Sequence, residues 1–166
     1  MLALDYVDVE AIKSCKFKVV VDGVNSTGGI VVPLLLERLG VEPIKLHCTP
    51  DGHFPHNPEP LKAHLTDLSD KVVQTGADFG IAVDPDVDRL AFMDEQGTLF
   101  GEEYTLVACA DFVLSQNKGN TVSNLSSTRA LRDVTQKHGG AYTASAVGEV
   151  NVVNAMKANK AVIGGE

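Results

Sequence analysis

Asp84, Asp86 and Asp88 alternate along Asp84-Pro85-Asp86-Val87-Asp88-Arg89, the stretch of this 166-residue chain whose residue types could do chemistry. In an extended segment, residues i, i+2 and i+4 project toward one side. Three carboxylates brought together repel, and each pair costs more as water is excluded, so a cation among them is favoured. Oxygen ligands suit a hard divalent ion, Mg²⁺ ahead of Ca²⁺. A solvated acidic turn is the competing reading. An EF-hand calcium loop also comes close, because counting Asp84 as position one puts Glu95 at position twelve. It fails at position six, where Arg89 stands in place of the required glycine, and because the flanks are strand-like rather than helical.

Those flanks position the carboxylates. Residues 77–83 form an apolar run of strand length that abuts Asp84, and residues 90–93 read as a second strand. Pro85 lacks a backbone N–H and keeps the segment out of helix, so the aspartates occupy a loop between two strands. Upstream, an amphipathic helix over 6–15 precedes a strand over 16–22, whose Val19-Val20-Val21 run suits a parallel sheet covered on both faces. A turn over 23–29 leads to a helix over 30–39 ended by Gly40, then a strand over 41–48. Residues 49–60 are turn-rich, with prolines at 50, 55, 58 and 60, and a helix follows over 61–75. After Gly97 the rhythm restarts: helix 102–116, strand 120–125, helix 128–138, strand 142–147, helix 149–159 and strand 161–163. The pattern predicts an α/β protein: two tandem, related three-layer domains with mixed, mainly parallel sheets, residues 1–98 and 99–166. The second is expected to be truncated, because the chain ends directly after a strand.

Gly23-Val24-Asn25-Ser26-Thr27-Gly28-Gly29 follows a strand and opens a helix, where phosphates are often cradled. Gly23 and Gly28 have P-loop spacing, but Gly29 and Ile30 stand where lysine and a hydroxyl residue are required, and G-x-G-x-x-G is absent. The structural reading prevails. Ser26 or Thr27 is expected to cap the helix, and the glycines to allow a tight strand–helix approach.

A net charge of −8 with no basic stripe argues against nucleic acid as a partner, and 44% hydrophobic residues mark a packing chain. No apolar run reaches the roughly 18 residues of a membrane helix, and no signal peptide is visible. Cys15, Cys48 and Cys109 are odd in number and scattered, which predicts reduced thiols and a cytoplasmic location. The sequons at Asn25 and Asn124 are then accidental. His47, His53, His56, His64 and His138 show no metal-ligand spacing, although His53 and His56 share the proline-rich loop.

The 20–29 stretch Val-Val-Asp-Gly-Val-Asn-Ser-Thr-Gly-Gly, the run Phe54-Pro55-His56-Asn57-Pro58-Glu59-Pro60, the aspartate loop, Ala146-Val147-Gly148-Glu149 and Gly164-Gly165-Glu166 together resemble the α-D-phosphohexomutases. That family comprises phosphomannomutase, phosphoglucomutase and phosphoglucosamine mutase. Its members have four domains, and this chain is similar to the second plus the first part of the third. The resemblance implies that a phosphoserine from another domain exchanges its phosphoryl group with a hexose phosphate through a bisphosphorylated sugar. It assigns Mg²⁺ to Asp84, Asp86 and Asp88, and the phosphoserine phosphate to Arg89. Three carboxylates around one Mg²⁺ leave one negative charge, which Arg89 can offset; a salt bridge from Arg89 to an aspartate is the other reading. Glu166 matches the start of the sugar-recognition loop, and Arg129 falls in a stretch resembling the third-domain substrate region. Glu149 stands where some members place a histidine, so mannose, glucose and glucosamine phosphates all stay open as substrates.

No serine here has a Ser-His-Asn-Pro-like setting, and the phosphate-clamping segment of the fourth domain is not found. The chain by itself is expected to bind Mg²⁺ weakly and to catalyse nothing, the first and fourth domains being its missing partners. The alternative is a free-standing module that binds a divalent metal or small molecule without chemistry. An aspartyl phosphatase is set aside for want of a separate lysine and a second acidic motif. Truncation would leave a sheet edge uncovered and invite a homodimer.

Overall fold

The computed structural model describes residues 2–166. It divides into two compact units, Met1–Glu102 and Glu103–Glu166. In the first, helix α1 (Val9–Cys15) starts later than its amphipathic pattern suggests, because the Asp8 carboxylate accepts the Ala11 N–H at 2.9 Å and fixes the N-terminus. Strand β1 (Lys18–Asp22), helix α2 (Gly28–Arg38) and strand β2 (Glu42–Leu46) follow. Residues Lys62–His64 make one 3₁₀ turn before helix α3 (Thr66–Thr75), which Gly76 ends at φ 59°. Strands β3 (Phe79–Val83), β4 (Leu90–Asp94) and β5 (Leu99–Phe100) complete the unit.

The strand order is β2-β1-β3-β4-β5. β1 runs parallel to both β2 and β3, while β4 and β5 add antiparallel pairs. The valine run explains the three layers. Val19 and Val21 pack with Leu36, Val41, Ile81 and Val83 on the α2 face. Val20 points the other way, into Leu65, Leu68 and Val72 beside α3. Each such buried side chain contributes about 1.5–3 kcal/mol relative to exposure. β2 is shorter than the expected 41–48 because His47 adopts φ 49° and turns the chain out of the sheet.

The second unit holds α4 (Glu102–Gln116), β6 (Asn120–Asn124), α5 (Ala130–Lys137), β7 (Tyr142–Ser145), α6 (Glu149–Asn159) and β8 (Ala161–Gly165). Its sheet is all parallel, in the order β7-β6-β8. Central β6 is polar yet buried, and its hydroxyls are satisfied. The Thr121 and Thr135 hydroxyls pair at 2.6 Å, and Ser123 and Tyr142 pair at 3.0 Å. An unpaired hydroxyl there would cost about 1–3 kcal/mol. No helix among the described residues is long and apolar enough to cross a membrane.

Candidate metal centre and its surroundings

The β3–β4 connection begins with paired Val83 and Leu90 and contains the six residues between them. Asp84 directly follows β3 and is buried, and its Oδ1 accepts the Arg89 backbone N–H at 3.1 Å. The loop turns at Val87, a β-branched residue at φ 64° whose N–H bonds to the Asp84 carbonyl at 3.2 Å. Such a conformation costs about 1–3 kcal/mol and persists only where neighbours enforce it. Those neighbours come from the glycine loop. The Ser26 and Thr27 hydroxyls both donate to the Pro85 carbonyl, at 2.9 and 2.8 Å. Neither caps α2, contrary to expectation; the hydroxyls are spent on the aspartate loop instead.

The glycines do permit close approach. A Cβ on Gly28 would lie 2.3 Å from Val83 Cγ2, one on Gly29 2.7 Å from Cys48 Cα, and one on Gly23 2.3 Å from the Gly29 nitrogen.

One oxygen from each of Asp84, Asp86 and Asp88 lies within 4.8 Å of the other two, with Asp84 buried and the others exposed. Burial alone would push the Asp84 carboxyl up, but hydrogen bonding from the Arg89 backbone and shared with Asp88 and Asp86 holds it below its usual range. Asp88 is pushed up, first by its hydrogen bond with Asp84 and then by the charges of Asp86 and Asp84. Such splitting marks crowded like charges. Three hard oxygen donors on one side of a fixed loop fit a hard divalent cation. The Arg89 charge works to lower Asp88 but ranks behind the aspartate contacts, and the guanidinium itself pairs with Glu59 at 2.7 Å, both side chains being exposed.

In the second unit, Glu166 and the segment bearing Arg129 lie at the C-terminal ends of parallel strands, where open α/β sheets bind ligands. Glu166 follows β8 and accepts the Gly148 N–H at the start of α6. Exposed Arg129 precedes α5 without capping it through its side chain. The loop between β6 and α5 is organised by Asn124, whose Oδ1 accepts the backbone N–H and hydroxyl of both Ser126 and Ser127, at 2.8–3.0 Å. An Asn ending a strand before Ser-Ser-Thr is a turn signal in the sequence, and it points to Asn124.

The model of phosphoglucomutase/phosphomannomutase α/β/α domain II matches residues 2–97, and that of domain III matches residues 101–166. The chain belongs to the phosphoglucomutase/phosphomannomutase family. It is 40% identical over 162 residues to a phosphoglucomutase/phosphomannomutase of Thermococcus kodakarensis, covering 96% of this chain and 36% of that protein. It is 39% identical to a phosphomannomutase/phosphoglucomutase of Pseudomonas putida, covering 91% of this chain and 33% of the relative. A solved phosphoglucomutase/phosphomannomutase family protein from Burkholderia thailandensis superposes with a TM-score of 0.82 at 32% identity, covering 95% of this chain and 36% of that one. The chain thus spans about a third of the length of these relatives, and it matches the models of domains II and III.

Two further side chains were missed in sequence. His47 and His56, without ligand spacing along the chain, converge on Asp22, and the two rings meet edge to face with centroids 5.5 Å apart. His56 Nε2 lies 2.9 Å from Asp22 Oδ2, and its Nδ1 lies 2.8 Å from the Asn57 carbonyl oxygen. His47 Nε2 reaches Asp67 Oδ2 at 3.2 Å. Cys48, beside them, has its thiol pushed up by burial, and the three cysteines are free.

Proposed function

We propose that this chain supplies the metal-holding and sugar-contacting parts of a Mg²⁺-dependent mutase that interconverts hexose 1-phosphate and 6-phosphate through a phosphoserine and a bisphosphorylated sugar. The observation that carries this reading is the gathering of three carboxylates at the end of β3, ligand oxygens within 4.8 Å, beside a guanidinium held only by a surface carboxylate. Mg²⁺ at Asp84, Asp86 and Asp88 would supply charge stabilisation for the phosphoryl group in transit. Asp84 is the fixed member of that set, and Asp86 and Asp88 are the adjustable ones. Arg89 exchanges Glu59 for the phosphoserine phosphate. An exposed ion pair contributes only about 0–1 kcal/mol, whereas a guanidinium binds phosphate through two parallel charge-assisted hydrogen bonds. Glu166 accepts hydrogen bonds from sugar hydroxyls, and Arg129 offers positive charge to the substrate phosphate.

In this reading the reactive serine and the second phosphate clamp belong to other domains of a cytoplasmic parent enzyme, and the 166-residue chain turns nothing over by itself. Thermal unfolding with and without Mg²⁺ tests the metal assignment. With a Kd on the order of 1 mM, about 10 mM Mg²⁺ stabilises the chain by about 1.4 kcal/mol. The D84N/D86N/D88N variant should show no such shift, and an equal shift in both proteins overturns the assignment. A coupled assay on glucose 1-phosphate and mannose 1-phosphate, primed with glucose 1,6-bisphosphate, tests the rest: turnover by this chain alone refutes it.

A further inference from the structure

Asp22, His47 and His56 form a second group of metal-ligating side chains in the first unit, and one ligand atom from each lies within 4.8 Å of the other two. They come from the end of β1, the residue after β2 and the proline-rich segment. The Asp22 side chain is 1% exposed, with one oxygen held by the Val24 N–H at 3.0 Å. The other oxygen faces His56 Nε2 at 2.9 Å.

His56 lies between two groups that can only accept. The Asn57 carbonyl is 2.8 Å from Nδ1, and the Asp22 carboxylate stands against Nε2. A neutral imidazole carries a single N–H and satisfies one of them. With Nδ1–H on the carbonyl, the Nε2 lone pair confronts a carboxylate, and with Nε2–H on Asp22 the Nδ1 lone pair confronts the carbonyl; a cation at Nε2, either a proton or a metal ion, lets both contacts be met at once. A histidine whose Nδ1–H is fixed by a backbone carbonyl while Nε2 faces the site is how proteins orient metal-bound imidazole. His47 carries a carboxylate partner of its own, Asp67, which is the other common orienting device.

We propose that Asp22, His47 and His56 bind a borderline divalent transition-metal ion of the zinc class, water completing its coordination. Two imidazoles and a carboxylate favour Zn²⁺ or Co²⁺ over Mg²⁺. The ion would clip the proline-rich segment to the end of β1, a role separate from that of the aspartate loop.

Titration of the chain with Co²⁺, followed by its visible d–d absorption and by Zn²⁺ displacement, tests this in a C15S/C109S background. The expected result is one equivalent bound with a nitrogen-ligand spectrum, retained in D84N/D86N/D88N and weakened roughly tenfold or more in H47Q and in H56Q. Circular dichroism checks that each variant is folded. His47 is the more exposed ligand, 20% against 16% for His56, so H47Q serves if H56Q does not fold. Nitrogen-15 spectra give a second readout: Zn²⁺ should shift His56 Nε2 while Nδ1 keeps its proton. No uptake, uptake unchanged in H47Q, or uptake lost with the three aspartates overturns the proposal, leaving a proton as the cation between Asp22 and His56.

Discussion

Removing His56 should destabilise the first unit by about 3 kcal/mol, and most of that loss should be specific to Asp22. The carboxylate is 1% exposed, and without the imidazole it keeps only the Val24 N–H. Breaking a buried ion pair from one side costs about 3–5 kcal/mol. His56 retains 16% exposure beside the C-terminal end of β1, which places this pair at the lower end. A double-mutant cycle with His56→Ala and Asp22→Asn should return a coupling of about 2 kcal/mol, because the double variant leaves no buried charge unpaired. The coupling should also depend on pH. Burial works to lower the His56 pKa, but the Asn57 carbonyl and the Asp22 carboxylate outweigh it, helped by the charge of Asp67, so the folded pKa is raised. Its stabilisation is therefore fully present below the ordinary value of about 6.5 and lost as pH rises through the folded pKa. Urea unfolding of the four proteins at pH 6 and pH 9, with a chelator present, measures both quantities. A coupling under about 0.5 kcal/mol at pH 6, or the same coupling at both pH values, would refute the imidazolium–carboxylate pairing.

Gly29→Ala gains about 1 kcal/mol of helix propensity but drives a Cβ to 2.7 Å from the Cys48 Cα. Backbone cannot step aside, so the net effect in a melting experiment should be a loss of about 1–3 kcal/mol. Ser26→Ala with Thr27→Val removes both hydrogen bonds to the Pro85 carbonyl. It should cost about 1–2 kcal/mol in urea unfolding and weaken the Mg²⁺-induced thermal shift; an unchanged shift would mean the aspartate loop holds its shape alone. The free edges of β7 and β8 should pair between copies, so light scattering after size exclusion should report a dimer, and a clean monomer counts against it.

Much of this architecture could be read in advance, for reasons that differ between elements. Val19-Val20-Val21 announced a strand covered on both faces, and the paired β3 and β4 were legible because apolar runs bracket a proline-containing acidic loop. β5 escaped notice because a two-residue edge strand has no periodicity to detect. Side-chain partners that no pattern announces shaped two helix starts: the Asp8 carboxylate fixes the start of α1, while the Ser26 and Thr27 hydroxyls turn to Pro85 instead of capping α2. The aspartate cluster was visible because alternation within five residues already specifies a common side. Asp22, His47 and His56 were not, because three separate segments bring them together and no local spacing encodes that meeting.

Glu59 draws the Arg89 guanidinium into a surface ion pair rather than leaving it to the aspartates. Were that decoy carboxylate missing, the guanidinium would have every electrostatic reason to fold back among the aspartates and quench them internally. On the proposed metal reading, a glutamate thirty residues upstream thus keeps the protein's own cation from competing with Mg²⁺, and a change at this surface position would weaken metal binding while leaving all three aspartates in place.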